Sequence, residues 1–184
     1  MDRYIQINLL PDPEISQPVV MNHLFDKLHH ALARVGQGEI GISFPNAHKH
    51  LGDIVRLHSN EQALQRLSNE RWLNGLQDYI KVSDILTVPD HCQYRVVERV
   101  HVKSDPVRLY RRSVRKGWLT QEEAEKKAAQ AKAKRLDLPF IQLKSQSTEQ
   151  YFKLFINQGK LIDKPINGQF SAYGLSKQAT IPWF

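Results

Sequence analysis

The amino-acid sequence predicts an α+β protein in two parts, a sheet-and-helix domain over residues 1–91 and a smaller sheet domain with a basic helix over 92–184. Three observations predict it. Short segments with the two-residue alternation of strands recur along the chain. Two stretches of the first half carry apolar residues at helical spacing. Positive charge is gathered in the second half, where eighteen Lys/Arg face eight Asp/Glu, against eight and eleven in residues 1–92.

Residues 4–9, YIQINL, alternate apolar and polar and read as a strand. Pro18 suits the first turn of a helix running to about Val35, with Val20, Leu24, Leu28, Ala31, Leu32 and Val35 on one stripe. Gly36 and Gly38 end it. Strands are expected at 40–44 and 54–58, joined by a polar loop over 46–52. A second helix over 60–78 carries Leu64, Leu67, Trp72 and Leu76, and a strand over 80–88 closes the domain. The order is βαββαβ, the ferredoxin-like unit, with both helices expected on one sheet face.

Pro89-Asp90-His91 reads as a turn and a boundary. In the strand predicted over 94–103, Tyr94, Val96, Glu98, Val100 and Val102 form a mostly apolar face, and Arg95, Val97, Arg99, His101 and Lys103 a mostly basic one. Ser104-Asp105-Pro106 opens a short helix to about 117, and Thr120 with Glu123 forms a capping box for a helix to about 135. Strands at 140–145, 151–157 and 169–173 are expected to complete the second sheet.

The helix from Pro106 reads PVRLYRRSVRK. Val107, Tyr110 and Val114 make an apolar strip, while Arg108, Arg111, Arg112, Arg115 and Lys116 fill much of the remaining surface with no acidic residue to pair them. Like charges at helical neighbours repel by a few tenths of a kcal/mol per pair, so a polyanion is the expected partner. Arginine suits bidentate contacts to phosphate or guanine. With Arg99, His101 and Lys103 just before it, the segment is expected to form a cationic nucleic-acid track. Charge does not separate DNA from RNA, but no helix-turn-helix or dimerisation pattern favours a DNA-binding regulator.

Cys92 is the one cysteine, which excludes an intramolecular disulfide and fits a reducing cytoplasm. No secretion signal and no run of membrane-spanning length is seen, so a soluble cytoplasmic protein is expected. His48 and His50 lie two apart on a polar loop with nothing placed to complete a metal site, so no metal and no cofactor is expected. His29 follows Phe25 by four residues and falls at the edge of the first helix's buried face, a position that also suits a satisfied rim histidine. Ser145 and Ser147 lie near a hairpin turn, where serines commonly bond the backbone. Phe152 lies on the next strand, and Tyr173 precedes Gly174, where the backbone can approach a ligand closely.

Six segments, in order, resemble one family: MDRYI with LLPDPE, LFDKLHHAL, GISFP, RVHVKSDPVRLYRR, LDLPFIQLKSQSTEQYFKLFI and YGLSKQATIPWF. They resemble the CRISPR repeat-processing endoribonucleases of the type I-F (Yersinia-type) systems, over essentially the whole chain. The resemblance implies binding of the stem-loop of CRISPR repeat RNA and metal-independent cleavage at its 3′ base, leaving a 2′,3′-cyclic phosphate and a 5′-hydroxyl. It implies that the protein then stays on the guide RNA's 3′ hairpin as a subunit of the type I-F surveillance complex. His29, and not His30, matches the catalytic histidine. Ser145 matches a serine that holds the attacking ribose, and Tyr173 a tyrosine that orients the site. Ser147 and Phe152 match residues near the scissile region, the phenylalanine stacking beneath the stem. Arg99 matches an arginine that reads a guanine, and the basic helix is the one that lies in the RNA groove. His101 stands where the family has a glutamine, and Tyr110 and Lys116 stand where it has arginines. The alternative is a non-catalytic subunit that only caps the stem-loop.

Overall fold

The computed structural model describes residues 1–101, 106–130, 137–145 and 148–184, and for 106–109 and 128–130 the backbone alone. The chain is α+β, with two antiparallel sheets and four helices among the described residues. In the first half, β1 (Arg3–Leu9), α1 (Gln17–Val35), β2 (Gly41–Ser43), β3 (Ile54–Ser59), α2 (Glu61–Asn69) and β4 (Ile80–Val82) follow the predicted βαββαβ order. The sheet runs β2-β3-β1-β4, the ferredoxin-like arrangement, and β5 (Leu86–Thr87) also pairs with β1. Both helices contact β1 and each other, so they share one face. The alternation in YIQINL is realised directly: Ile5, Ile7 and Leu9 are buried beneath α1, whose own stripe of Val20, Leu24, Leu28, Ala31 and Leu32 meets them.

The second sheet is built from β6 (Gln93–Val100), β7 (Phe140–Lys144), β8 (Tyr151–Gln158) and β9 (Thr180–Trp183), in the order β7-β8-β6-β9. β6 serves two partners in turn: residues 93–96 pair with β9, and 97–100 with β8. Side chains tie this sheet to the first. The Gln158 amide donates to the Phe44 carbonyl at 3.1 Å and accepts the Phe44 N–H at 3.2 Å, copying a strand pairing with one side chain.

The chain forms two compact units, one of Met1–Val100 with Leu138–Phe184 and one of His101–Asp137. Both sheets belong to the first unit, and the boundary expected at residue 91 falls between them. The second unit holds α3 (Pro106–Arg115) and α4 (Gln121–Gln130), which pack against each other. α3 ends at Gly117, whose φ of +72° lets Trp118 N–H reach the Ser113 carbonyl at 3.0 Å and Gly117 N–H reach Val114 at 2.9 Å. The capping box forms as predicted: Glu123 accepts Thr120 N–H at 2.9 Å, and Thr120 Oγ1 accepts Glu123 N–H at 3.2 Å. The Thr120 N–H, with the Thr120 hydroxyl 3.2 Å from the same carboxylate oxygen, holds the Glu123 carboxyl below the usual carboxylate range.

Three elements differ from expectation. The helix over 60–78 stops at Asn69, because Arg71 adopts a φ of +48° and Gly75 one of +80°; Trp72 and Leu76 are buried all the same, delivered by turns. The strand over 80–88 breaks where Ser83 Oγ accepts Gln6 N–H at 2.9 Å. Residues 169–173 form no strand, and the last strand is β9.

His58 lies fully buried on β3, with Nε2 2.8 Å from Ser43 Oγ and with Nδ1 unpartnered. Burial, with Arg56 and the N-terminal amine adding repulsion, lowers its pKa from 6.5 to about 3. An unfolded histidine takes up a proton below about pH 6.5, whereas this one stays neutral until about pH 3. Stability should therefore fall as pH drops through that window, by as much as roughly 1.4 kcal/mol per pH unit. Urea midpoints from pH 7 to 4.5 check this, and His58→Gln should show a shallower pH slope than wild type.

Candidate active site

α1 places His29 one turn beyond Phe25, at the half-buried rim of its apolar stripe. Its Nδ1 lies 2.9 Å from the carbonyl oxygen of Ala172. A carbonyl can only accept, so Nδ1 carries the proton and the neutral ring presents an unprotonated Nε2. The Tyr173 ring stacks on the imidazole at 4.0 Å and 8°, and Phe25 continues the stack at 6.3 Å and 7°. Helix, loop carbonyl and two rings thus fix one imidazole orientation.

The loop that supplies Ala172 and Tyr173 is itself tied down. Ser171 N–H donates to Leu175 at 2.9 Å and Gly174 N–H to Ser171 at 2.8 Å, while Ile42 N–H on β2 donates to the Gly174 carbonyl at 3.0 Å. Gly174 has a φ of +66° and lies so close to Ile42 that a Cβ would meet its Cγ1 at 2.3 Å. Glycine is therefore required here twice, by conformation and by space.

Arg99, near the end of β6, sets its guanidinium carbon 5.7 Å from the Tyr173 ring and 5.7 Å from the Phe152 ring. His29, Tyr173, Arg99 and Phe152 are thereby drawn into one connected group. Among the described residues, the odd face of β6 is partly covered. Val97 on it is buried, and Arg95 lies 4.1 Å from the Trp183 ring, where burial lowers its pKa. Ladder pairing ends at Val100, and His101 is exposed beyond it in the second compact unit.

Ser145 stands half-buried where β7 enters the hairpin. Its N–H donates to Gln150 at 2.9 Å, and its Oγ accepts Thr148 N–H at 3.4 Å. In the second unit, Arg111, Arg112, Arg115 and Lys116 are exposed on and just beyond α3, and Lys116 Nζ sits 4.5 Å over the exposed Trp118 ring. Lys103, Ser147 and the Arg108 side chain lie outside the described residues. His48 and His50 occupy an exposed turn, and among the described residues no three His, Cys, Asp or Glu side chains gather as a metal-holding group. No described helix is long and apolar enough to cross a membrane.

Two contributors were not singled out from sequence. The Ala172 carbonyl belongs to a backbone group that every residue has, so no residue type signals it. The contact of Gly174 with Ile42 joins positions with no shared pattern, although the glycine itself is the visible trace of it.

A family model described as CRISPR-associated protein (Cas_Csy4) matches residues 4–184. The chain is 52% identical over 184 residues to a protein of Escherichia coli (strain UTI89 / UPEC) named CRISPR-associated endonuclease Cas6/Csy4, with 100% of each chain covered. It is 44% identical over 187 residues to a protein of the same name from Pseudomonas aeruginosa (strain UCBPP-PA14), again with 100% of each covered.

Proposed function

The chain belongs to the CRISPR-associated Csy4 family, and from that membership we propose that it is a cytoplasmic endoribonuclease that cuts CRISPR repeat RNA at the 3′ base of its stem-loop without metal. The observation that carries this reading is the fixed imidazole of His29, with Nδ1–H held by Ala172 and Nε2 open for proton transfer.

RNA supplies its own nucleophile, the 2′-hydroxyl beside the scissile phosphate. The protein has to align it with the leaving 5′-oxygen and move protons. His29 Nε2 takes the 2′-hydroxyl proton, and the Ala172 carbonyl then stabilises the imidazolium through the Nδ1–H it already accepts. Ser145 holds the 2′-oxygen, and Tyr173 keeps the ring in plane. Arg99 offsets charge near the phosphate and reads a base, with Phe152 beneath the stem's closing pair. As the 2′-oxygen bonds to phosphorus the bond to the 5′-oxygen breaks, and that oxygen takes a proton from the imidazolium or from water, so that the products are a 2′,3′-cyclic phosphate and a 5′-hydroxyl. α3 grips the stem, with Arg108, Lys103, His101 and Ser147 adding RNA contacts. The protein stays on the 3′ hairpin of the guide as a subunit of the surveillance complex.

The test is a repeat RNA with a 2′-deoxy nucleotide immediately 5′ of the scissile phosphate, assayed beside the all-ribose RNA in excess EDTA. The all-ribose RNA should be cut and the deoxy RNA bound but uncut. Cleavage of the deoxy RNA, or activity that returns only on adding Mg²⁺, would overturn the mechanism.

Arg111→Ala and Arg112→Ala should each weaken stem-loop affinity by about tenfold and reduce the slope of log affinity against log salt by about one, since each lost phosphate contact releases one counterion fewer. Titrations of uncleavable RNA across a salt series measure both.

A further inference from the structure

Beside the proposed catalytic group, a groove of about 240 Å³ runs between α1 and the β7–β8 hairpin. Asn22, His23 and Asp26 line one wall, and Gln142, Lys144 and Tyr151 the other. We propose that this groove holds the first unpaired nucleotide 3′ of the cut. The proposal rests on the reading that stem-loop RNA is cut beside His29.

Both walls lead into the residues assigned to the chemistry. One turn beyond Asp26, α1 presents His29 and His30, and Ser145 directly follows Lys144, the last residue of β7. The groove adjoins both, and the strand that leaves the scissile phosphate on its 3′ side runs into it. The groove is built and held open: Gln142 N–H, on the free edge of β7, donates to Asn22 Oδ1 at 2.9 Å, which fixes the helix against the strand.

The lining suits a nucleotide. Tyr151 is 69% exposed, a large aromatic face left in solvent at the groove mouth. Lys144 is its register partner across the hairpin and is exposed beside it. An aromatic platform with an adjacent cation is how proteins hold single-stranded nucleic acid, the ring stacking on the base and the cation meeting the phosphate. Exposed His23 adds a second donor. Asp26 is the acidic residue among the lining side chains, and its Oδ1 lies 3.8 Å from His30 Nε2; its carboxylate can accept from a base amino group or a ribose hydroxyl.

Strand alternation separates the two RNA segments. Tyr151 and Phe152 are neighbours on β8 and point to opposite faces. Phe152 joins the group around Tyr173 and Arg99, where the stem ends, and Tyr151 joins the groove. The start of β8 thus stands between paired and unpaired RNA.

The test uses two repeat RNAs that differ at the first nucleotide 3′ of the cut, one with a normal base there and one abasic. Wild type should cut the abasic RNA about tenfold more slowly, the loss expected from one stacked base. Tyr151→Ala should lose about tenfold on the normal RNA and nothing further on the abasic one, while Tyr151→Phe keeps the wild-type rate on both. With 5-iodouridine at that position in uncleavable RNA, photocrosslinking should map to Tyr151. Equal losses of Tyr151→Ala on both RNAs, or a crosslink outside the groove, would overturn the proposal. If wild type cuts neither RNA at the base of the stem, the failure is that of the enzymatic reading on which it rests.

Discussion

His29→Ala is expected to cut repeat RNA about 10²- to 10⁴-fold more slowly than wild type, the contribution general acid–base catalysis typically makes, while binding the stem-loop with nearly unchanged affinity. The half-buried imidazole is spent on orientation: its Nδ1 engages Ala172 at 2.9 Å and its face engages Tyr173 at 4.0 Å. One nitrogen is left for substrate. Losing it removes the proton transfer but few of the contacts that hold RNA, since the exposed cations on α3 are untouched. Single-turnover cleavage with enzyme in excess, paired with mobility-shift titration on the same RNA, separates the two effects. A parallel fall in rate and affinity would place His29 in the binding surface instead.

Gly174→Ala should lower stability by roughly 2–4 kcal/mol, combining a strained positive φ with overpacking, and should also abolish most cleavage. The new methyl would lie 2.3 Å from Ile42 Cγ1 and 2.5 Å from its Cδ1, on a residue whose φ is +66°. Ile42 is fully buried and cannot swing away, so the loop has to move. That loop carries both Ala172 and Tyr173, so the movement is transmitted to the imidazole. Gly75→Ala is the matched control: its φ is +80°, yet nothing lies within 4 Å of its added Cβ. It should cost only the backbone term, about 1 kcal/mol, and leave cleavage intact. Thermal melting and cleavage rates on the two variants distinguish steric from conformational cost.

The first half of the fold was legible because each element buries one face. A one-sided strand alternates and a one-sided helix repeats every three to four residues, so residues 4–9 and 17–35 announce themselves. Legibility failed where burial and secondary structure part company. Phe170 is 8% exposed, which gives 169–173 the look of a strand, but it is buried against Gly41 as part of a loop. β9 contains Pro182, which argues against a strand; it is tolerated because β9 is the edge of its sheet. Trp72 and Leu76 continued the spacing of α2 although the helix had ended. In the second half, alternation correctly gave two faces to β6 but misplaced the basic one, since Arg95 and Arg99 lie against aromatic rings. At the site, position alone did not mark His29 as more than a rim histidine. The resemblance selected it, and the geometry around it comes from chain segments far apart in sequence.

That distance has a consequence for how the protein comes into being. The carbonyl that orients His29 lies 143 residues after it, and the Phe44 pairing with Gln158 spans 114. As the chain leaves the ribosome, α1 and most of its own sheet can form while the histidine still lacks the partner that fixes its tautomer. The ring is set only when residues 171–175 have been made and close over β2. Such long-range closure is the slow part of folding, because loop entropy is lost before the contact is gained. A chain not yet extended to Ala172 therefore carries the histidine but not the carbonyl that orients it.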